Sequence, residues 1–310
     1  MHDVIVIGAG PAGLAAGMYA GRLNLRTLII GEDVGGLIAT TQLVENYPGF
    51  KQISGEELSE RLLEHAEEYG VELVEARATD VERTQEGFRV LTEEGSYPAK
   101  ALIFATGTRH RKLPAKRAEE YENRGVYYCA LCDGPLFRNR TVAVVGGSDS
   151  AAKEALLLAE YARRVYIIYR GSRLRGEPPN IRRVEENEKI QVIYRTSILE
   201  VRGDRRLRSV VLDREYKGSR ELELDAVFVA IGGEPQSELA KKLGVETNEK
   251  GEIVIDRDSR TNVAGVFAAG DVVASSFKQA IVGVAEGVVA AYSAYRYVTS
   301  GYVATRASGG

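Results

Sequence analysis

Val4-Ile5-Val6-Ile7-Gly8-Ala9-Gly10-Pro11-Ala12-Gly13 decides the fold. Its first four residues are apolar and β-branched, which suits a strand buried on both faces of a parallel sheet. Leu14 to Leu23 then reads as a helix. In this strand–turn–helix setting each glycine has a task. Gly8 allows the tight turn, Gly10 lets a pyrophosphate approach the backbone, and Gly13 lets helix and sheet pack closely. Gly17 and Gly21 continue a small-residue face at i+4 spacing. Leu28-Ile29-Ile30 reads as the next strand, with Glu32 and Asp33 at its end. A carboxylate about 20 residues past the glycines is placed to bond a ribose hydroxyl. The stretch predicts a dinucleotide-binding unit.

The plan recurs. Val142-Ala143-Val144-Val145 is a second buried strand, Gly146-Gly147-Ser148-Asp149-Ser150-Ala151 a second glycine turn, Ala152 to Tyr161 a second helix, and Val165 to Ile168 its following strand. In each half, short alternating strands (Arg77 to Ala105, Ser197 to Leu224) read as an antiparallel meander. Each meander runs into an apolar strand and a glycine, at Thr106-Gly107 and at Gly232. Such a duplication is better evidence than either motif alone. Val245 to Ala269, Gly270-Asp271 and a helix from about Gln279 to Tyr297 have no meander of their own, so they are read as returning to complete the first unit. The expected fold is α/β: two Rossmann-like three-layer domains, the second inserted into the first, each with a small meander. The expected boundaries are 1–112 with 241–310, and 113–240.

Gly35-Gly36 and Glu45-Asn46-Tyr47-Pro48-Gly49 read as loop punctuation. Ser54 to Tyr69 reads as a polar helix with Ser54 as N-cap and Glu57 as its capping-box partner, which leaves His65 on a solvated face. Arg109 to Arg117 is basic and contains Pro114; without interleaved aromatics for stacking it reads as a linker, not a nucleic-acid patch.

Between the two glycine turns lies Cys129-Ala130-Leu131-Cys132-Asp133-Gly134, with the only two cysteines of the chain. Two cysteines in 310 residues are no disulfide framework, and so close a pair points to redox chemistry or a metal. A structural zinc site needs four ligands, and His2, His65 and His110 are remote in sequence, so no metal is expected. A net charge of −3 gives no basic field for nucleic acid. No secretory signal precedes the first strand, and Gln279 to Ala291, the most apolar helical stretch, is too short to span a membrane and carries Glu286. The expected location is the cytoplasm.

Taken together, Gly8–Gly13, Cys129–Gly134, Gly146–Ala151 and Gly265-Val266-Phe267-Ala268-Ala269-Gly270-Asp271 resemble the small, homodimeric, FAD-dependent thioredoxin reductases of bacteria and archaea. The resemblance covers the chain up to about Ser300. It implies FAD in the discontinuous domain, with Gly8, Gly10, Pro11, Ala12 and Gly13 at the pyrophosphate and Asp33 or Glu32 at the adenosine ribose. Gly35, Gly36 and Asn46 then line the flavin, Thr106 and Gly107 close over the cofactor, and Gly270 and Asp271 meet the ribityl chain. Lys278-Gln279-Ala280 opens the final helix toward the flavin's pyrimidine edge, where the helix dipole favours negative charge.

At the second site the resemblance implies NAD(P)H on Gly146, Gly147, Ser148, Asp149 and Ser150. The chain departs from the family there. Ser148 stands where a glycine is usual, and the His-Arg-Arg-x-x-x-Arg run of NADPH users reads Tyr169-Arg170-Gly171-Ser172-Arg173-Leu174-Arg175. Arg170 and Arg175 remain for the 2′-phosphate. Losing one donor of three is expected to weaken the preference for NADPH by roughly one to two powers of ten, so NADPH is expected with NADH also accepted.

By the same resemblance, electrons pass from NAD(P)H through FAD to the Cys129–Cys132 disulfide and on to thioredoxin or a glutaredoxin-like protein. Cys132 is then the flavin-proximal sulfur, Cys129 the outer thiol that attacks the substrate, and Asp133 the acid/base. Thiol pair and nicotinamide share one domain, so that domain is expected to rotate about linkers near Thr108–Lys116 and Gly232–Leu243. Tyr292 and Tyr295 on the last helix are candidates for the dimer face. Two alternatives stay open: a reductase of this fold fed by ferredoxin or another donor, suggested by Ser148 and Gly171, and a non-catalytic FAD-binding redox sensor.

Overall fold

The computed structural model describes residues 1–300, so the last ten residues assigned to the outer domain lie outside the described part. The chain opens with β1 (His2–Ile7), α1 (Pro11–Arg22) and β2 (Thr27–Ile30), followed by α2 (Gly55–Glu67) and β3 (Glu72–Val74). Strands β4 (Ala78–Thr84), β5 (Gly87–Thr92) and β6 (Ser96–Phe104) form the meander and lead to β7 (Thr108–His110). The inserted stretch holds β8 (Val126–Tyr127), α3 (Ala130–Asp133), β9 (Thr141–Val145), α4 (Asp149–Tyr161), β10 (Arg164–Tyr169), α5 (Pro178–Glu186) and β11 (Ile190–Tyr194). After these come β12 (Ile198–Gly203), β13 (Leu207–Tyr216), β14 (Ser219–Glu223), β15 (Ala226–Val229) and β16 (Gly233–Pro235). The chain closes with α6 (Glu238–Lys242), β17 (Val266–Ala268) and α7 (Ala280–Ser300).

Two compact units result: Met1–Arg109 with the chain from Pro235 on, and His110–Glu234. In the outer unit the sheet order is β3-β2-β1-β6-β5-β4, with β17 beside β6. β6 does two jobs. Its residues 96–99 pair antiparallel with β5, while residues 101–104 pair parallel with β1. Burial on both faces explains the unbroken apolar run of β1: Val4 and Val6 pack with α1 and α7, and Ile5 and Ile7 join the core on the other side. α7 lies close against α1, since a Cβ at Gly287 would stand 2.2 Å from the Ala12 carbonyl oxygen. The inserted unit repeats the plan as a parallel sheet, β11-β10-β9-β15-β8, with β12-β13-β14 as a separate antiparallel sheet.

The second crossing falls before α6, at Glu234/Pro235. Ser237 and Ala240 are buried, and Lys242 Nζ reaches Asp80 Oδ1 of β4 at 2.7 Å, which ties α6 to the outer unit. The two crossings are the strand pair β7–β16. A hydrogen bond closes each side of it, Gln236 N–H to the Gly107 carbonyl and Arg111 N–H to the Gly232 carbonyl. Ser54 caps α2 by accepting from Glu57 N–H, but the box is half made, because the Glu57 carboxylate binds Arg61 instead. No helix among the described residues is long and apolar enough to cross a membrane.

His2 on β1 is 7% exposed, and neither ring nitrogen has a hydrogen bond; the Glu72 carboxylate, at 3.7 Å, is too far for one. Burial, the largest influence, holds its pKa below 6.5. An unfolded chain therefore binds more protons than the folded one between the lowered value and 6.5, so this contribution to stability is full above about pH 6.5 and is lost as pH falls. A His2→Leu variant should lose less of its unfolding temperature between pH 7 and pH 5 than the parent does. An equal or steeper loss would show that His2 carries none of the acid sensitivity.

Candidate functional site

The first turn leaves β1 with Gly8 at φ +113°, where a Cβ would stand 2.2 Å from the Ala105 carbonyl oxygen at the end of β6. Gly10 then enters α1 in extended conformation, with Pro11 at the first helical position, where a missing N–H costs nothing. The nearest atom to a Cβ at Gly10 is the Gly35 carbonyl oxygen, 4.0 Å away. Gly35 donates its N–H to the Ala9 carbonyl at 2.8 Å, and a Cβ at Gly36 would come to 3.3 Å from the Gly10 Cα. Gly35 and Gly36, legible as mere punctuation from residue pattern alone, therefore form the far wall of a backbone-lined gap. Any side chain at Gly10 or Gly36 would fill it, and an extended pyrophosphate fits such a cradle.

The other residues expected at this cofactor are arranged around the same end of the unit. Asn46 Nδ2 donates to Gln279 Oε1 at 3.0 Å, joining the loop to the start of α7. Thr106 and Gln236 exchange bonds: the Thr106 hydroxyl donates to the Gln236 carbonyl and Gln236 Nε2 to the Thr106 carbonyl. Gly107, at φ +61°, has no atom within 4 Å of a would-be Cβ. Gly270 donates its N–H to Glu286 Oε2 at 2.8 Å. Lys278 Nζ is held by the Asp271 carbonyl and by Glu252 Oε1, at 2.7 and 2.6 Å, just before Ala280 starts α7. Burial raises the Asp271 carboxyl, which has no hydrogen-bond partner among the described residues, a donor-seeking group suited to a sugar hydroxyl. At the end of β2, Glu32 and Asp33 are exposed, with Glu32 4.0 Å from Arg77. The residues present fit an FAD.

Cys129 and Cys132 form a disulfide across α3. Cys129 is half-buried and Cys132 exposed, and the Cys132 N–H points at Cys129 Sγ from 3.1 Å. That donor favours a thiolate on Cys129 once the bond opens. Burial raises the pKa of the Asp133 carboxyl from its ordinary value. Three residues further on, Leu136 is 71% exposed, the most exposed large apolar side chain described.

The second turn repeats the first one's geometry: Gly146 at φ +151°, with a would-be Cβ 2.2 Å from the Ala230 carbonyl oxygen. Gly147 and Gly171 both lie against the Tyr169 ring, which a Cβ at either would meet at 2.5 Å. The Gly147 carbonyl accepts from Arg175 N–H, and the Arg175 guanidinium lies over the Tyr169 ring. Ser148 adopts the N-cap conformation of α4 without a side-chain cap bond, and Ser150 is exposed. The Asp149 carboxylate is taken up by the fold, accepting from Glu177 N–H and Asn180 Nδ2 and pairing with Lys153. Burial alone would raise it, but those bonds prevail and hold it below its ordinary value.

One acid in this unit escaped the sequence reading. Glu154 on α4 is pushed up to about 8 by burial, and its Oε2 has no partner. It shares a helix face with Leu158 and Tyr161, which border Gly134 of the cysteine turn. Its signal was a glutamate inside the apolar run Ala151 to Ala159. No cluster of metal-ligating side chains occurs among the described residues.

The family of pyridine nucleotide-disulphide oxidoreductases matches residues 2–287. A thioredoxin reductase of Listeria innocua is 41% identical over 301 residues, which is 96% of this chain and 94% of the relative. The solved thioredoxin reductase of Lactococcus lactis shares 39% identity at a TM-score of 0.93, over 97% of this chain and 100% of its own. That of T. acidophilum shares 36% at 0.90, over 95% and 97%. Alignment nearly end to end at such identity makes this chain a member of the pyridine nucleotide-disulphide oxidoreductase family, within its low-molecular-weight thioredoxin reductases.

Proposed function

We propose that this flavoprotein disulfide oxidoreductase reduces the disulfide of a thioredoxin-like protein in the cytoplasm, at the expense of NADPH and, less favourably, NADH. The observation that carries the reading is the Cys129–Cys132 disulfide on a turn of the inserted unit, with a glycine cradle in each unit. FAD held by the outer unit supplies the two-electron relay between nicotinamide and disulfide.

The chain's own residues account for the rest. Two electrons and two protons turn the Cys129–Cys132 disulfide into a dithiol. Cys129, favoured as thiolate by the Cys132 N–H, attacks one sulfur of the partner's disulfide and releases the other as a thiol. Cys132 then attacks the mixed disulfide, regenerates the internal bond and frees the reduced partner. Asp133, adjacent to Cys132 in the chain and with its pKa raised by burial, is the group suited to supply and recover protons. Gly8, Gly10 and Gly13 hold the flavin nucleotide's pyrophosphate, and Gly146, Gly147 and Ser148 hold that of the nicotinamide. Rotation about the β7–β16 strand pair is the motion that lets both groups serve one flavin. The stacked pair Tyr292 and Tyr295, with Tyr292 53% exposed, is the proposed homodimer face.

Anaerobic titration of the purified protein with each nicotinamide, followed by oxidised thioredoxin, tests the reading. Bleaching of the flavin band and its recovery on adding thioredoxin are expected. A band that neither nicotinamide bleaches would select the second reading, a protein electron donor, which Ser148 and Gly171 favour. Exposed Leu136 beside the disulfide suits an apolar contact with the protein substrate. Leu136→Asp should raise the KM for thioredoxin about tenfold while sparing reduction of a small aromatic disulfide. An unchanged KM would remove Leu136 from the docking surface.

A further inference from the structure

We infer that Arg195 is a specificity-determining residue of the nicotinamide site, supplying the guanidinium that Gly171 lacks to the 2′-phosphate of the dinucleotide. The inference rests on the reading of the second glycine turn as that site. Position 171 cannot carry an arginine while the Tyr169 ring keeps its place, since even a Cβ there would stand 2.5 Å from Cε1 and Cζ. The same ring also stands 2.5 Å from a would-be Cβ at Gly147, so it is packed against two backbone positions at once. The missing donor must therefore come from elsewhere, or the preference for a 2′-phosphate falls.

Arg195 occupies the neighbouring place. Tyr169 and Tyr194 are register partners of the parallel strands β10 and β11, so Arg170 and Arg195 leave the same carboxyl edge side by side. That edge is where a dinucleotide-binding sheet reads the adenosine ribose. Arg195 N–H donates to the Gly171 carbonyl at 2.9 Å, and Thr196 N–H to the Tyr169 carbonyl at 3.1 Å, which fixes the two ends together. Arg195 does so at φ +52°, a left-handed conformation where glycine or asparagine would be the relaxed choice. A task for its side chain would account for an arginine at such a position.

Arg170 and Arg195 are exposed, and neither guanidinium has an ion pair or hydrogen bond among the described residues. The Arg175 guanidinium lies over the Tyr169 ring and makes no ion pair or hydrogen bond among the described residues. Two unpaired forks at one strand edge, with Arg175 held on the Tyr169 ring, match a phosphate dianion, which takes up several charge-assisted bonds at once.

The test uses the FAD-loaded protein and calorimetric binding of adenosine 2′,5′-bisphosphate against 5′-AMP, with Arg195→Asn as the variant because asparagine tolerates the left-handed backbone. The parent should bind the bisphosphate more tightly. Arg195→Asn should weaken the bisphosphate about ten- to a hundredfold and leave AMP within twofold, and Arg195→Lys should recover part of the loss. In turnover, the KM for NADPH should rise with the KM for NADH and both kcat values unchanged. Equal weakening of both nucleotides, no change in either, a parent that does not distinguish them, or displacement by inorganic phosphate at equal concentration would each overturn the assignment. A parent that binds the bisphosphate tightly yet is not reduced by NADPH would instead overturn the reductase reading and leave Arg195 standing.

Discussion

Replacing Cys132 by serine should abolish thioredoxin reduction, by about a thousandfold or more, in a protein that stays folded and yellow. A hydroxyl cannot form or resolve a disulfide, so the Cys129 thiolate that has attacked its partner has no second sulfur to release it. The fold should be spared, because the bond closes a loop of only three residues' separation on an exposed turn and constrains the unfolded chain little. Cys129 alone should then form a mixed disulfide, visible on a non-reducing gel, with a thioredoxin that keeps only its attacking cysteine, activated as a small aromatic disulfide, because the second thiol of intact thioredoxin would reverse the attack. Turnover within tenfold of the parent would mean that electrons leave the protein by another route.

The second large effect is expected at Gly13. A Cβ there would stand 1.8 Å from the Gly8 carbonyl oxygen and 2.9 Å from its carbon, both backbone atoms of the turn. Neither can swing aside like the end of a side chain, so α1 must lift away from the turn or the turn must open. α1 is also packed against α7 through Ala12 and Gly287, which leaves it little freedom to move. Gly13→Ala should therefore be isolated largely without flavin and unfold about 5 °C or more below the parent, compared as flavin-free proteins. A variant that retains full flavin and the parent's melting temperature would show that the turn is far more compliant than its contacts indicate.

What could be read in advance was whatever local chemistry dictates. The run Val4 to Gly13 needs only its own residues to declare strand, turn and helix, and its repeat at Val142 to Ala151 declares a second unit. Ser54 announced the start of α2 for the same reason, a side chain bonding a backbone group three residues on. Features made by residues far apart were not legible. The Asn46–Gln279 bond spans 233 residues, and neither partner's neighbourhood hints at the other. Gly35 and Gly36 resemble ordinary loop glycines until Gly10 is seen opposite them. Tyr169 looked like a lost histidine, but its ring is what explains Gly171, a pair of departures with one steric cause. Arg195 carried no motif at all; only strand register places it beside Arg170. The attachment of α6 to the outer unit was hidden too, because it depends on Asp80, far earlier in the chain.

The pairing of β7 with β16 bears on how such a molecule arises. Entry to and exit from the inserted half lie shoulder to shoulder, so the host is interrupted at a single point of its surface. A segment whose two ends meet can be placed at such a point while the host sheet keeps its own strand order. No strand of the host need be rethreaded for it.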